Sequence, residues 1–258
     1  MILVAGPCVV EDIEVLKNTY AEISKMLDVN TEFYLKASCL KDNRTKTENY
    51  RGINNDFCTG LKQLIYMKAC GVKICTDFHS VEQIEKYGRY VDMIQIPAYL
   101  SRQVSLLEAA GKTGKTILVK KMQSESPDHI QIPVNILKNA GAKRVIACDR
   151  GTSFGYNDLI FDPRHIPIMK QYAEEVIVDV THINKNYLPI KTRGMKLSKV
   201  TADASMAAGA DGLFMEVHYK RELALCDDRT QLSISEFKEI IGFYNLKELM
   251  SEKNRRTI

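Results

Sequence analysis

A single (β/α)8 TIM barrel is the α/β fold class this sequence predicts, and two observations predict it. Eight short apolar runs recur along the 258 residues, and an amphipathic stretch of helical period follows each of them. The runs are nearly continuously apolar and do not alternate, as strands buried on both faces of a parallel sheet do not. An open doubly wound sheet is the other architecture such an alternation allows. No linker rich in Pro, Gly or Ser and no low-complexity block interrupts the chain, so one domain spans residues 1–258, with a polar tail at 251–258 expected to fray.

Taken in order, the strand candidates are Ile2 to Ala5, Phe33 to Ala37, Lys73 to Thr76, Met93 to Ile96, Ile117 to Val119, Arg144 to Ala147, Val176 to Val180 and Gly212 to Glu216. Each is a short β-branched or otherwise apolar run bounded by polar or turn residues. The helical stretches are Ile13 to Leu27, Asp56 to Ala69, Val81 to Lys86, Arg102 to Ala110, Ile130 to Asn139, Ile166 to Gln171, Leu197 to Ala208 and Ile234 to Leu249.

Composition narrows the function. Hydrophobic residues at 45% and charged residues at 26% are ordinary for a globular chain. A net charge of +4, with its basic residues dispersed, argues against nucleic acid and for a small anionic substrate. No run of about 18 apolar residues is present, so no spanning helix and no membrane partner are expected. The N-terminal Met-Ile-Leu-Val-Ala-Gly-Pro has no basic segment ahead of its apolar part and reads as structure, which gives a cytoplasmic expectation. Seven cysteines without a C-x-x-C pair suit a reducing compartment, most of them as small buried apolar residues.

In a barrel the active site gathers at the C-terminal ends of the strands. The residues just past each run are Cys8; Lys36 with the Lys41 to Arg44 loop; Asp77 and His79; Gln95, Pro97 and Arg102; Lys120, Lys121 and Gln123; Asp149 and Arg150; His182; and Glu216 with His218. Nearly every strand therefore ends in a polar or ionisable group. Lys36, Lys41, Arg44, Lys120 and Arg150, with Arg102 behind them, form a cationic set that calls for a polyanion, because so many like charges at one mouth repel each other otherwise. Lys46 and Lys121 read instead as solvated or paired residues. Lys120 as a Schiff-base nucleophile is an alternative, opposed by the many neighbouring charges. A second set, Cys8, His182, Glu216 and Asp227, offers a thiolate, an imidazole and two carboxylates, a mixed donor group for zinc, iron or manganese. Singly, Cys8 reads as a packed thiol and Asp227 as a turn residue.

Several segments carry a resemblance: Lys36-Ala-Ser with Lys41-Asp-Asn-Arg-Thr, Gln95-Ile-Pro-Ala, Lys112-Thr-Gly-Lys, Val119-Lys-Lys-Met-Gln, Cys148-Asp-Arg-Gly-Thr-Ser-Phe-Gly-Tyr-Asn, Asp179-Val-Thr-His and Gly212-Leu-Phe-Met-Glu-Val-His. In order and with few gaps from Val4 to about Asp227, the chain resembles the 3-deoxy-D-manno-octulosonate 8-phosphate synthases. The Lys-Asp-Asn-Arg loop separates it from the related 3-deoxy-arabino-heptulosonate 7-phosphate synthases, which tend to carry Lys-Pro-Arg-Thr.

The resemblance implies condensation of phosphoenolpyruvate with arabinose 5-phosphate. It places Lys36, Lys41, Lys120 and Arg150 against phosphoenolpyruvate and Asn43, Arg44 and Thr45 against the aldose phosphate. Ser38, Gln95 and Gln123 join the substrate-binding set, and Arg102 reaches the aldose phosphate across a subunit interface in a homotetramer. Lys41, His182 and Asp227 take catalytic roles. Cys at position 8 implies the metal-requiring branch, with Cys8, His182, Glu216 and Asp227 as ligands of a divalent metal. Two departures stand out: Ile53-Asn-Asn-Asp replaces the usual Pro-Gly after Tyr50-Arg-Gly, and a short Ile183-Asn-Lys-Asn-Tyr-Leu-Pro-Ile-Lys-Thr-Arg-Gly replaces a Gly-rich lid after His182. The second loosens the aldose assignment more than that of phosphoenolpyruvate. Heptulosonate synthase activity and a catalytically silent phosphoenolpyruvate-binding barrel are the alternatives.

Overall fold

A computed structural model describes residues 1–42, 50–155, 159–184, 191–192, 195–242 and 244. Eight parallel strands close into a barrel: β1 Ile2–Gly6, β2 Glu32–Lys36, β3 Ile74–Asp77, β4 Met93–Ile96, β5 Thr116–Lys120, β6 Arg144–Asp149, β7 Glu175–Asp179 and β8 Gly212–Glu216. Each strand pairs with its sequence neighbours, and β8 returns to β1 with Gly6 opposite Glu216. The single (β/α)8 barrel is the observed fold, and the open sheet is excluded by this closure.

Outside the barrel lie α1 Ile13–Ser24, α2 Phe57–Ala69, α3 Val81–Tyr87, α4 Val104–Lys112, α5 Gln131–Asn139, α6 His165–Met169, α7 Leu197–Ala207 and a last helix through residues 234–242. Side-chain caps start four of them: Asp12 accepts from the Val15 amide, Asp56 from Thr59, Ser80 from Gln83 and, at the last helix, Ser233 from Glu236. Several predicted bounds shift. α1 ends at Ser24 rather than Leu27, α4 starts at Val104 so that Arg102 sits in a turn, and α6 has five residues. A two-residue antiparallel ribbon, Lys191–Thr192 with Met195–Lys196, stands between β7 and α7.

The strands alternate more than their apolar reading suggests, because a strand turns successive side chains to opposite faces. Leu3, Leu35, Ile94, Ile117, Val145, Val176 and Leu213 face the helices, whereas Val4, Tyr34, Cys75, Met93, Leu118, Ile146, Ile177 and Phe214 fill the barrel interior. Two residues beyond six of these interior positions come Lys36, Asp77, Gln95, Lys120, Asp179 and Glu216, all buried. Period two therefore aims all six at the barrel mouth. At the opposite end Arg144 bonds both Glu175 (Nε to Oε2, 2.5 Å) and Glu32 (Nη1 to Oε1, 2.9 Å), an ion cluster below the apolar layer.

Candidate active site

Phe214 forms the floor on which the charges rest. Lys120 Nζ lies 3.5 Å from its ring centroid and Lys36 Nζ 5.6 Å, so the ring face offsets part of the cost of burying two cations. Above it a chamber with a cavity volume of about 40 Å3 is lined by Lys36, Lys41, Asp77, Gln95, Tyr99, Lys120, Arg150 and His182, among others. The expected phosphoenolpyruvate set of Lys36, Lys41, Lys120 and Arg150 thus converges on one cavity.

Carboxylates two strands away around the ring hold the three lysines. Glu216 Oε1 is 3.2 Å from Lys36 Nζ and 3.5 Å from Lys41 Nζ, and Lys120 donates to Asp179 Oδ2 at 2.5 Å. Burial and the Lys41 charge pull the Lys36 ammonium down, but Glu216 and Asp77 outweigh them and keep it above the ordinary lysine range. Burial opposes the charge of Lys41 too, and Cys8, Glu216 and Asp77 hold it well above that range. Glu216 itself is penalised by burial, yet His182, Lys41 and Lys36 draw it far below the usual carboxylate value. The base of the Lys41 loop is fixed by Arg51, whose carbonyl accepts from the Lys41 amide at 2.7 Å and whose Nε donates to the Lys41 carbonyl at 2.9 Å.

Asp179, quoted in the sequence only as part of a motif, is the hub of the seventh strand end. Its Oδ1 accepts from the amides of Thr181 and His182 and from the Thr181 hydroxyl, while Oδ2 meets His182 Nδ1 at 2.8 Å. Burial lowers the His182 pKa despite the pull of Asp179 and so favours the neutral ring, and the Asp179 contact favours the tautomer with its proton on Nδ1. Nε2 then presents a lone pair to Glu216 Oε2, 3.5 Å away, and that oxygen has no hydrogen-bond partner among the described residues. Two buried acceptors facing each other fit a cation, in the carboxylate–histidine–metal pattern.

The four expected ligands do not gather into one tight cluster. Cys8 Sγ lies 3.4 Å from Asp227 Oδ2, as expected, but the third partner is Cys226, whose Sγ is 2.6 Å from that of Cys8. Ligand atoms of Cys8, Cys226 and Asp227 all fall within 4.8 Å of one another, and His182 with Glu216 forms a separate pair. Lys36 links the two groups, donating to the Cys8 carbonyl at 3.2 Å as well as to Glu216. Burial and the Cys226 contact hold the Cys8 thiol well above its ordinary value, and the same contact lowers Cys226. Only its place next to Asp227 hinted at Cys226 in the sequence.

The remaining expectations divide. Ser38 Oγ accepts from Lys36 at 3.3 Å behind the chamber. Gln123 is buried outside the chamber lining, and its carbonyl accepts from the Ser153 amide, which ties down the loop after Arg150. Arg102 is 69% exposed, pairs with Glu125 at 3.1 Å and stands apart from the chamber. Lys121 faces outward from the barrel yet is buried, 3.7 Å from Asp149 and donating to the Gly151 carbonyl at 3.2 Å. Asn43, Arg44, Thr45 and Lys46 lie outside the described residues, as does most of the short loop after His182.

The DAHP synthetase I family model matches residues 1–251. The 2-dehydro-3-deoxyphosphooctonate aldolase of Geobacter sp. (strain M21) is 38% identical over 246 residues, covering 93% of this chain and 89% of the relative. Proteins of the same name from Desulfotalea psychrophila (35%; 93% of this chain, 87% of the relative) and Syntrophotalea carbinolica (36%; 96% and 89%) are similarly close. With its closed barrel, its cationic chamber at the strand ends and these similarities along nearly its whole length, the chain belongs to the DAHP synthetase I family, among the 2-dehydro-3-deoxyphosphooctonate aldolases.

Proposed function

We propose that this chain condenses phosphoenolpyruvate with D-arabinose 5-phosphate and water, giving 3-deoxy-D-manno-octulosonate 8-phosphate and inorganic phosphate. The observation that carries it is the convergence of buried Lys36, Lys41 and Lys120 with half-buried Arg150 around one chamber, an arrangement suited to a small molecule with both a carboxylate and a phosphate. Acceptors are placed there as well: Asp77 Oδ1 and Gln95 Oε1 have no donor among the described residues, which suits the hydroxyls of a sugar phosphate.

In the reaction, the enol carbon attacks the aldehyde carbon, water adds to the oxocarbenium-like centre, and phosphate leaves by carbon–oxygen cleavage. The lysines hold two anionic substrates side by side that repel each other in solution, and they do so without reorganising as charge moves. Lys41, kept cationic by its neighbours, hydrogen-bonds the alkoxide forming from the aldehyde. A divalent metal, zinc, iron or manganese, with Cys8 and Asp227 from one group and His182 and Glu216 from the other as its ligands, would supply Lewis acidity toward the aldehyde oxygen or a water of lowered pKa. Asp179 keeps His182 in the tautomer such a ligand needs. Asn43, Arg44 and Thr45 serve the aldose phosphate, Arg102 completes that site from a neighbouring subunit, and the enzyme works as a homotetramer.

The test offers arabinose 5-phosphate and erythrose 4-phosphate in parallel and follows phosphate release. Turnover with arabinose 5-phosphate at least tenfold above the four-carbon sugar is expected. The reverse preference would move the assignment to the heptulosonate synthases, and phosphoenolpyruvate binding without product from either sugar would leave a silent binding barrel.

A further inference from the structure

We propose that Cys226 is a metal ligand in this chain, so that the cation is held by two thiolates, Cys8 and Cys226, beside the carboxylate of Asp227. The inference rests on the metal-using reading above and goes beyond its ligand set. Two observations carry it, proximity and a brace.

The first is distance. Each sulfur reaches the same carboxylate oxygen (3.4 Å from Cys8, 3.7 Å from Cys226), and all three ligand atoms lie within 4.8 Å of one another; parting the two touching sulfurs by about 1 Å gives the roughly 3.8 Å that two thiolates at about 2.3 Å from one tetrahedral zinc require. The second is a brace that holds the pair. Gln231, fully buried, accepts from the Cys8 amide through Oε1 at 2.9 Å and donates from Nε2 to the Cys226 carbonyl at 2.7 Å. One side-chain amide thus fixes the backbones of two cysteines 218 residues apart, as the surroundings of a metal site orient its ligands. The turn itself is held as well: the backbone of Asp227 takes φ +48°, a left-handed conformation that Asp adopts more readily than most residues. The amides of Thr230 and Gln231 both donate to the Asp227 carbonyl, so this turn is held from the same side as the brace.

Packing alone does not call for this arrangement. Buried cysteines usually behave as small apolar residues spread through a core, as Cys39 and Cys75 do here. Cys8 and Cys226 instead form a cluster of their own with Val9, at the side of the chamber where Lys36 bonds the Cys8 carbonyl. Binding a dication to two thiols releases two protons to solvent, and the resulting pair of thiolates favours zinc, cobalt or cadmium over manganese and magnesium.

The experiment strips the full-length protein with a chelator, reloads it with cobalt(II), and records the near-ultraviolet thiolate-to-cobalt absorption in wild type, Cys226→Ser and Cys8→Ser. Circular dichroism checks that each variant is folded. The expected result is that either variant keeps about half of the wild-type band, and that zinc affinity of Cys226→Ser falls roughly tenfold or more. Zinc-edge X-ray absorption of the unmodified protein gives an answer that no folding defect can confuse, with two sulfur neighbours expected at about 2.3 Å. One sulfur neighbour, together with an unchanged cobalt band in Cys226→Ser, would overturn the inference while leaving the metal reading in place. A wild-type protein that takes up neither metal would overturn both.

Discussion

Lys41 sits 3.5 Å from Glu216 and remains protonated because buried negative groups surround it, which decides the part it can play. A cation held so firmly stabilises a developing alkoxide by hydrogen bonding more readily than it surrenders its proton. Lys41→Met should therefore lower kcat by about 10²–10³-fold while phosphoenolpyruvate still binds by calorimetry, since Lys36, Lys120 and Arg150 remain. Unchanged turnover would remove Lys41 from the chemistry. Asp77 gives a second prediction. Burial disfavours its charge, but His79, Lys36 and Lys41 hold it well below the usual carboxylate range. At pH near the ordinary aspartate value the unfolded chain binds this proton and the folded chain does not, so stability rises with pH through that window and is lost as pH falls below it. The melting temperature should drop on acidification below about pH 4, and Asp77→Asn should flatten that part of the profile. An unaltered profile in the variant would show that other carboxylates carry the acid sensitivity.

Among the elements, β8 has the strictest steric demand, because it closes the ring against β1. A methyl group on Gly212 would lie 1.9 Å from the Ile2 carbonyl oxygen, in backbone that cannot retreat without parting the two strands. Gly212→Ala should cost about 3 kcal/mol in urea unfolding, at the upper end for overpacked sites. A change under about 0.5 kcal/mol would mean that the closure is looser than its register. This closure was legible only in part from sequence. Eight apolar runs announced the strands, since burial on both faces leaves few polar residues in them, but the last residues were harder to assign. Lys120 is charged, so an apolar criterion ends the fifth strand at Val119, whereas Lys120 is a strand residue turned inward by the pleat; the second and seventh strands instead end one residue earlier than expected, at Lys36 and Asp179. Helix ends moved for a similar reason: Arg102 fits the helical pattern of α4, yet a turn before Val104 places it outside.

At the scale of the molecule, the chamber's cations and Glu216 could be read from strand-end positions, whereas which carboxylate each cation pairs with could not, because pairing across strands has no local trace. Lys120 with Asp179 and Lys36 with Glu216 are separated by 59 and 180 residues. Cys226 was missed for the same reason. No helix among the described residues is long and apolar enough to cross a membrane. Treatment with a strong chelator should abolish turnover, and zinc, iron(II) or manganese(II) should restore it to different extents; full activity in chelator would exclude an essential metal. The Gln231 brace carries a further consequence, for the life history of the protein. Because it joins Cys8 to a segment 223 residues later, a chain emerging from the ribosome has no such pocket until nearly its last turn is made. A metal bound there would then be taken up only after ring closure, and a half-folded chain would be unable to compete for the ion.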